Sequence, residues 1–123
     1  MTMRTKHRLY TLVVAFMVAA TLSSCVSPGE RKRMSELLTK AEKMNSDYVS
    51  MKNAVFMDSV LRFYDSHGTE EERIRANYMM GCVHRDRGNS PTALEYYMKA
   101  VSLADTTSTG CNYELLGRIY VQI

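Results

Sequence analysis

Three cysteines, Cys25, Cys82 and Cys111, and three histidines are the side chains that thiol chemistry or a soft metal would draw on. Cys82-Val83-His84 sets two of them two residues apart. On a helix that spacing points them to different sides, whereas a zinc site needs three or four ligands, usually as spaced pairs. Cys111 and His67 are the other candidates and supply no such pair. No metal and no cofactor is therefore expected. A catalytic thiol needs a histidine in reach and a group to orient it, and no segment brings these together. Gly-rich phosphate loops and the H-E-x-x-H pattern do not occur in the sequence. Glu70-Glu71-Glu72 could be taken for catalytic carboxylates, but acids at a helix start are explained by the positive end of the helix dipole. Arg73, Arg75, Arg85 and Arg87 make a basic edge that neighbouring acids neutralise, which is the pattern of a solvated face. Cys82 is expected to be a small buried side chain. Whether it pairs with Cys111 stays open, because sequence gives no distance. The chain is not expected to be an enzyme.

The length of 123 residues holds one small domain and excludes a multidomain enzyme. A charged fraction of 24% excludes a polytopic membrane protein, and 46% hydrophobic residues argue against full disorder. The net charge of +3 would point toward nucleic acid if it were spread along the chain. It is not. Arg4, Lys6 and Arg8 are the charged residues of positions 1–24; without these three, 13 of the 16 basic residues remain, against 13 acidic ones. The rest of the chain is formally neutral, and no nucleic-acid partner is expected.

Residues 1–8 are short and basic, residues 9–22 are mostly apolar, and Ser23 and Ser24 are small. That is the order of a secretory signal peptide. As a helix the 14 apolar positions rise ~21 Å, short of a hydrocarbon core of ~30 Å, so cleavage is expected over a spanning anchor. Leu22-Ser23-Ser24-Cys25 resembles the lipobox of bacterial lipoproteins. The resemblance implies removal of 1–24, a thioether-linked diacylglycerol on Cys25 and an acyl lipid on the new N-terminus. Two or three chains hold firmly where one holds marginally. Residues 25–29 are expected to be a lipidated tether, with Pro28-Gly29 breaking regular structure. The implied location is an exported protein anchored to a bacterial membrane, the outer membrane first, with its periplasmic or surface face unresolved.

The positioning elements are helical. No stretch alternates apolar and polar residues, and no hairpin dipeptide appears. Apolar stripes predict helices over about 30–44 (Met34, Leu37, Leu38, Ala41) and 52–66 (Phe56, Val60, Leu61, Phe63, Tyr64). His67-Gly68 predicts a left-handed helix stop, and Thr69 with Glu72 a capping box opening a third helix that ends at Gly88. Ser90 is the expected N-cap and Pro91 the first residue of a fourth helix. A fifth helix runs to the end after a polar loop at 105–110. Short connections favour antiparallel neighbours.

The same offsets occur twice. Asn77-x-x-Met80-Gly81-x-x-His84 is followed by Ala93-x-x-x-Tyr97 and Ala100, and Tyr113-x-x-Leu116-Gly117-x-x-Tyr120 comes 36 residues after the first occurrence. The pattern resembles the tetratricopeptide (TPR) repeat, whose period is about 34 residues. Asn77, His84 and Asp105 depart from it. Tyr64-Asp-Ser-His67-Gly68 and Ala93-Leu-Glu-Tyr-Tyr-Met-Lys-Ala100 also resemble a wider group of Bacteroidota TPR lipoproteins. The expected fold is all-α, with antiparallel hairpins stacked as a TPR-like right-handed solenoid, incomplete at the C-terminus. Residues 30–68 would be a degenerate hairpin, 70–105 a clear repeat and 109–123 half of one.

The resemblance implies a membrane-anchored interaction module or scaffold in the cell envelope, with a protein or peptide partner. Gly81, Ala93, Tyr97, Ala100, Gly117 and Tyr120 would hold the repeat, with Gly81 and Ala93 letting two helices approach and Tyr97 filling the space between hairpins. Asn77, His84 and Tyr113 would face the partner. Tyr113, Leu116, Tyr120 and Ile123 would lie uncovered on the last helix. Either the chain is a fragment of a longer protein or a truncated gene, which is the expectation, or that face meets a partner or a second copy; the alternative function is that of the N-terminal part of a longer sensory or signalling protein.

Overall fold

The computed structural model describes residues 3–8, 10–11 and 25–123. Residues 3–8 and 10–11 are helical. Most of the apolar run at 9–22, with Ser23 and Ser24, lies outside the described residues, and so does that part of the signal-peptide expectation. Among the described residues no helix is long and apolar enough to cross a membrane. The chain divides into two compact units, residues 1–30 and residues 31–123.

Five further helices follow, and no strand occurs among the described residues. Helix α1 spans Pro28–Ser46, α2 Met57–His67, α3 Glu70–Asp86, α4 Ser90–Ser102 and α5 Tyr113–Tyr120. The fold is all-α, as the sequence predicts.

Pro28-Gly29 does not break regular structure; it opens α1. The Ser27 Oγ accepts the Glu30 N–H at 3.1 Å, so Ser27 caps the helix. Pro28 then stands at the first helical position, where its missing N–H is harmless. Met34, Leu38 and Ala41 carry the buried stripe of α1. Two helix ends use one device. At the end of α3, the Asn89 N–H reaches the His84 carbonyl at 2.9 Å and the Gly88 N–H reaches Arg85 at 3.0 Å. At the end of α1, Val49 reaches Met44 at 2.8 Å and Tyr48 reaches Asn45 at 3.2 Å. Both are Schellman motifs, which put their turning residue in the left-handed region. That residue is Gly88 (φ +76) after α3 and Tyr48 (φ +57) after α1.

Residues 47–56 form a longer connection than the sequence predicts, so α2 starts at Met57. The connection is fixed from α3. The Met51 N–H donates to Asp86 Oδ2 at 2.8 Å, and Arg87 Nε donates to the Lys52 carbonyl at 2.8 Å. Met51 and Ala54 are buried beneath it. Gly68 ends α2 with an extended backbone (φ −83), not a left-handed one. Its reason is space, since a Cβ there would lie 2.6 Å from the Tyr64 carbonyl oxygen. The capping box of α3 forms as read, with Thr69 Oγ1 accepting Glu72 N–H at 3.2 Å and Glu72 Oε2 accepting Thr69 N–H at 2.8 Å. The N-cap of α4 is Asn89 rather than Ser90, because the Asn89 side chain accepts the Thr92 N–H.

Helix α3 is the centre of the larger unit. Ile74 and every residue from 76 to 83 are buried, which matches a helix covered on more than one face. Helices α3 and α4 form a hairpin closed by the turn at 87–89. Ala93, Tyr97 and Ala100 are the buried residues of α4. Tyr97 lies within this hairpin, not between hairpins: its ring rests on Gly81, and its centroid is 5.9 Å from that of Tyr78. Leu116 and Ile119 of α5 are buried, which corrects the expectation that Leu116 lies uncovered. Leu116 joins Ile74 and Ala104 around a small cavity of about 30 Å³.

Candidate functional site

Side chains from α1, α3 and α5 line an open cleft of about 1000 Å³. Helix α1 contributes Glu42 and Asn45, α3 contributes Arg75 and Arg85, and α5 contributes Arg118. Tyr48 stands at the rim, 97% exposed. The lining comes from three segments distant in sequence.

Arg75 reaches across to α1 with two parallel bonds, Nε to Glu42 Oε1 at 2.7 Å and Nη2 to Glu42 Oε2 at 2.8 Å. The hydrogen bond to Glu42 is the main reason that the Arg75 guanidinium is held more firmly charged than usual. A forked pair of this kind fixes direction as well as distance. Arg85 fans out further. Its Nε meets Asp86 Oδ1 at 2.9 Å, one Nη meets Asn45 Oδ1 at 3.1 Å, and the other meets Gln122 Oε1 at 3.2 Å. One guanidinium thus ties α1, α3 and the turn after α5. Burial would raise the Asp86 carboxyl, but the bonds from Arg85 and the Met51 N–H outweigh it and hold the group below its ordinary value. The basic edge expected at Arg73, Arg75, Arg85 and Arg87 is therefore not a free solvated face: Arg75, Arg85 and Arg87 span to other segments, and Arg73 Nε is buried. On α5, Arg118 pairs with Glu114 one turn away.

The predicted partner-facing residues do not share this cleft. Asn77 is fully buried, donating to the Arg73 carbonyl at 2.8 Å and facing Asp65 of α2 at 3.4 Å. It offers no surface to a partner, which corrects that expectation; its Oδ1 has no hydrogen-bond partner. A polar residue type gave no hint of this burial. His84 is half-buried and stacks on Tyr96, centroids 5.4 Å apart at 13°. Tyr113 is exposed, and its hydroxyl donates to the Thr106 carbonyl at 2.6 Å. Cleft residues Asn45, Tyr48 and Gln122 carried no signal beyond their polarity, because three distant segments build the site.

Cys25 is exposed, and all three cysteines are free. Cys82 is buried beside the Tyr97 hydroxyl at 3.8 Å, and burial is what pushes its thiol above the ordinary value. Cys111 borders the small cavity with Ile74. Among the described residues no group of three His, Cys, Asp or Glu side chains converges as a metal site would require. The cleft presents fixed donors and acceptors with an aromatic rim. That arrangement suits recognition of a polar segment by hydrogen bonds and charge.

The chain matches no protein-family model, no curated protein and no solved structure.

Proposed function

We propose that this chain is a membrane-anchored interaction module of the bacterial cell envelope, which binds a segment of another protein in the cleft between α1, α3 and α5. Tyr48 at the rim carries this reading. A bulky residue in the left-handed region costs about 1–2 kcal/mol relative to a relaxed backbone. Gly88 fills the equivalent place after α3 without that cost. Keeping a nearly fully exposed tyrosine there does nothing for the core. It does place an aromatic ring beside an array of guanidinium and amide groups, and such residues anchor protein contacts.

The anchor rests on the lipobox-like Leu22-Ser23-Ser24-Cys25, with Cys25 exposed ahead of α1. The α3–α4 hairpin, closed over Gly81, supports a TPR-like right-handed solenoid in which first helices line the binding face. No catalytic group is assigned. Mass spectrometry of the chain made in a bacterial host tests the anchor: Cys25 at the N-terminus bearing diacylglycerol and an acyl chain is expected, and an unmodified Cys25 contradicts it. Photo-cross-linking from position 48 tests the cleft: a discrete adduct with one envelope protein is expected, and its absence contradicts it.

A further inference from the structure

The stripe Asn77-Gly81-His84 of α3 and the stripe Tyr113-Gly117-Tyr120 of α5 are 36 residues apart in one register. The register extends to their buried sides. Met80 and Val83 are buried in α3, and Leu116 and Ile119 at the matching places in α5. The other sides differ. A Cβ on Gly81 would lie 2.3 Å from Tyr97 Cε1, whereas among the described residues nothing comes within 4 Å of the same position on Gly117. His84 is stacked on Tyr96, whereas Tyr113 and Tyr120 are 61% and 60% exposed.

Asn77 of the α3 stripe lies against Asp65 of α2; Gly81 and His84 are covered by an adjacent aromatic pair on the following helix, Tyr97 and Tyr96. The first two helices use the same chemistry. Phe63 of α2 faces α1, where Arg31 lies over its ring at 5.7 Å, and Tyr64 beside it is buried. In both places a second helix bearing two neighbouring aromatics sets at least one of the rings against a first helix. Helix α5 is joined to the α3–α4 hairpin through Leu116 and Ile119, so a helix laid on its open stripe would continue an interface already present.

We infer that the Tyr113-Gly117-Tyr120 face of α5 is a seat for a helix of a partner protein carrying Ala-x-x-aromatic-aromatic-x-x-Ala, the pattern of Ala93, Tyr96, Tyr97 and Ala100 in α4. The second aromatic fills the hollow over Gly117, the first stacks on Tyr120, and the alanines permit the close approach. A second copy of this chain is the poorer occupant. Its one segment with that pattern is α4, which is already closed on α3, and its α5 carries tyrosines seven residues apart with no flanking alanine.

The probe is a peptide of residues 89–104, held helical by a lactam between Glu95 and Lys99, which are i,i+4 and exposed on α4. It is titrated against the full chain by fluorescence anisotropy. Saturable binding is expected, weakened at least tenfold by Tyr97→Ala in the peptide and by Gly117→Phe in the chain. Gly117→Ala, which meets no atom in the free chain, should keep the fold by circular dichroism and still weaken binding several-fold. Absence of binding overturns the inference, and so does binding indifferent to both position 117 variants. A concentration-dependent dimer in sedimentation that Tyr120→Glu abolishes would name a second copy as occupant and overturn it equally.

Discussion

The ring of Tyr97 occupies the space that a side chain on Gly81 would need, with Cε1 and Cδ1 at 2.3 and 2.5 Å from the site of its absent Cβ. Tyr97 is itself buried and cannot swing into solvent. Gly81→Ala would gain about 1 kcal/mol of helix propensity and lose more to overpacking, at ~1–3 kcal/mol. Net destabilisation of up to about 2 kcal/mol is expected, read as a lower midpoint in urea unfolding. Gly117→Ala lacks that opposing contact and should stabilise by roughly 0.5–1 kcal/mol. Equal effects at the two glycines would contradict their different surroundings.

Tyr48 gives a trade between stability and binding. Tyr48→Gly relieves the left-handed backbone and should raise stability by about 1 kcal/mol. The same change removes the rim aromatic and should weaken partner binding at least tenfold. A variant that is more stable and binds as before would detach Tyr48 from function.

Asp86 makes the connection at 47–56 sensitive to acid. Its folded pKa lies below its unfolded value of about 3.9. Its contribution is therefore complete above that unfolded value and is lost as pH falls through the folded one. Asp86→Asn should cost about 1–3 kcal/mol at pH 7. It should also flatten the loss of stability between pH 5 and pH 3, roughly the range of carboxylate titration. Thermal unfolding of both proteins across that range checks it.

Cys82 is shielded, and burial raises its thiol. A raised group stabilises fully below its unfolded pKa of about 8.5 and loses that contribution as pH rises through the folded value. With Cys25→Ser, a maleimide should label the half-buried Cys111 quickly and Cys82 only on unfolding. Labelling Cys82 in the folded chain at a similar rate would place it at the surface.

Local features were the legible ones. Thr69 and Glu72 stand three residues apart and form the box within their own turn, although Glu72 also pairs with Arg31 of α1 at 3.6 Å. Gly81, Ala93, Tyr97 and Ala100 could be read as packing residues because burial follows from size and spacing along two adjacent helices. Gly68 was legible as a stop but not in its conformation, since a glycine needed for room and one needed for a left-handed turn look alike in sequence. Asn77 was misplaced because its burial depends on α2 lying over it. The cleft was not legible at all. It exists because Arg85 meets Asn45 and Gln122, some 40 residues before and 37 after it.

Site-specific photo-cross-linking in the bacterial envelope tests the binding cleft most directly. The cross-linker goes at Tyr48 on the rim and, as a comparison, at Ser59, which is exposed on α2 and outside the cleft. Lys43 and Arg118 line the cleft with largely exposed side chains, so reversing their charge leaves the core intact. One discrete adduct with a single envelope protein is expected from position 48, none from position 59, and loss of the adduct in Lys43→Glu with Arg118→Glu. The same adduct from both positions, or one from position 48 that survives both charge reversals, would contradict a cleft that binds a partner.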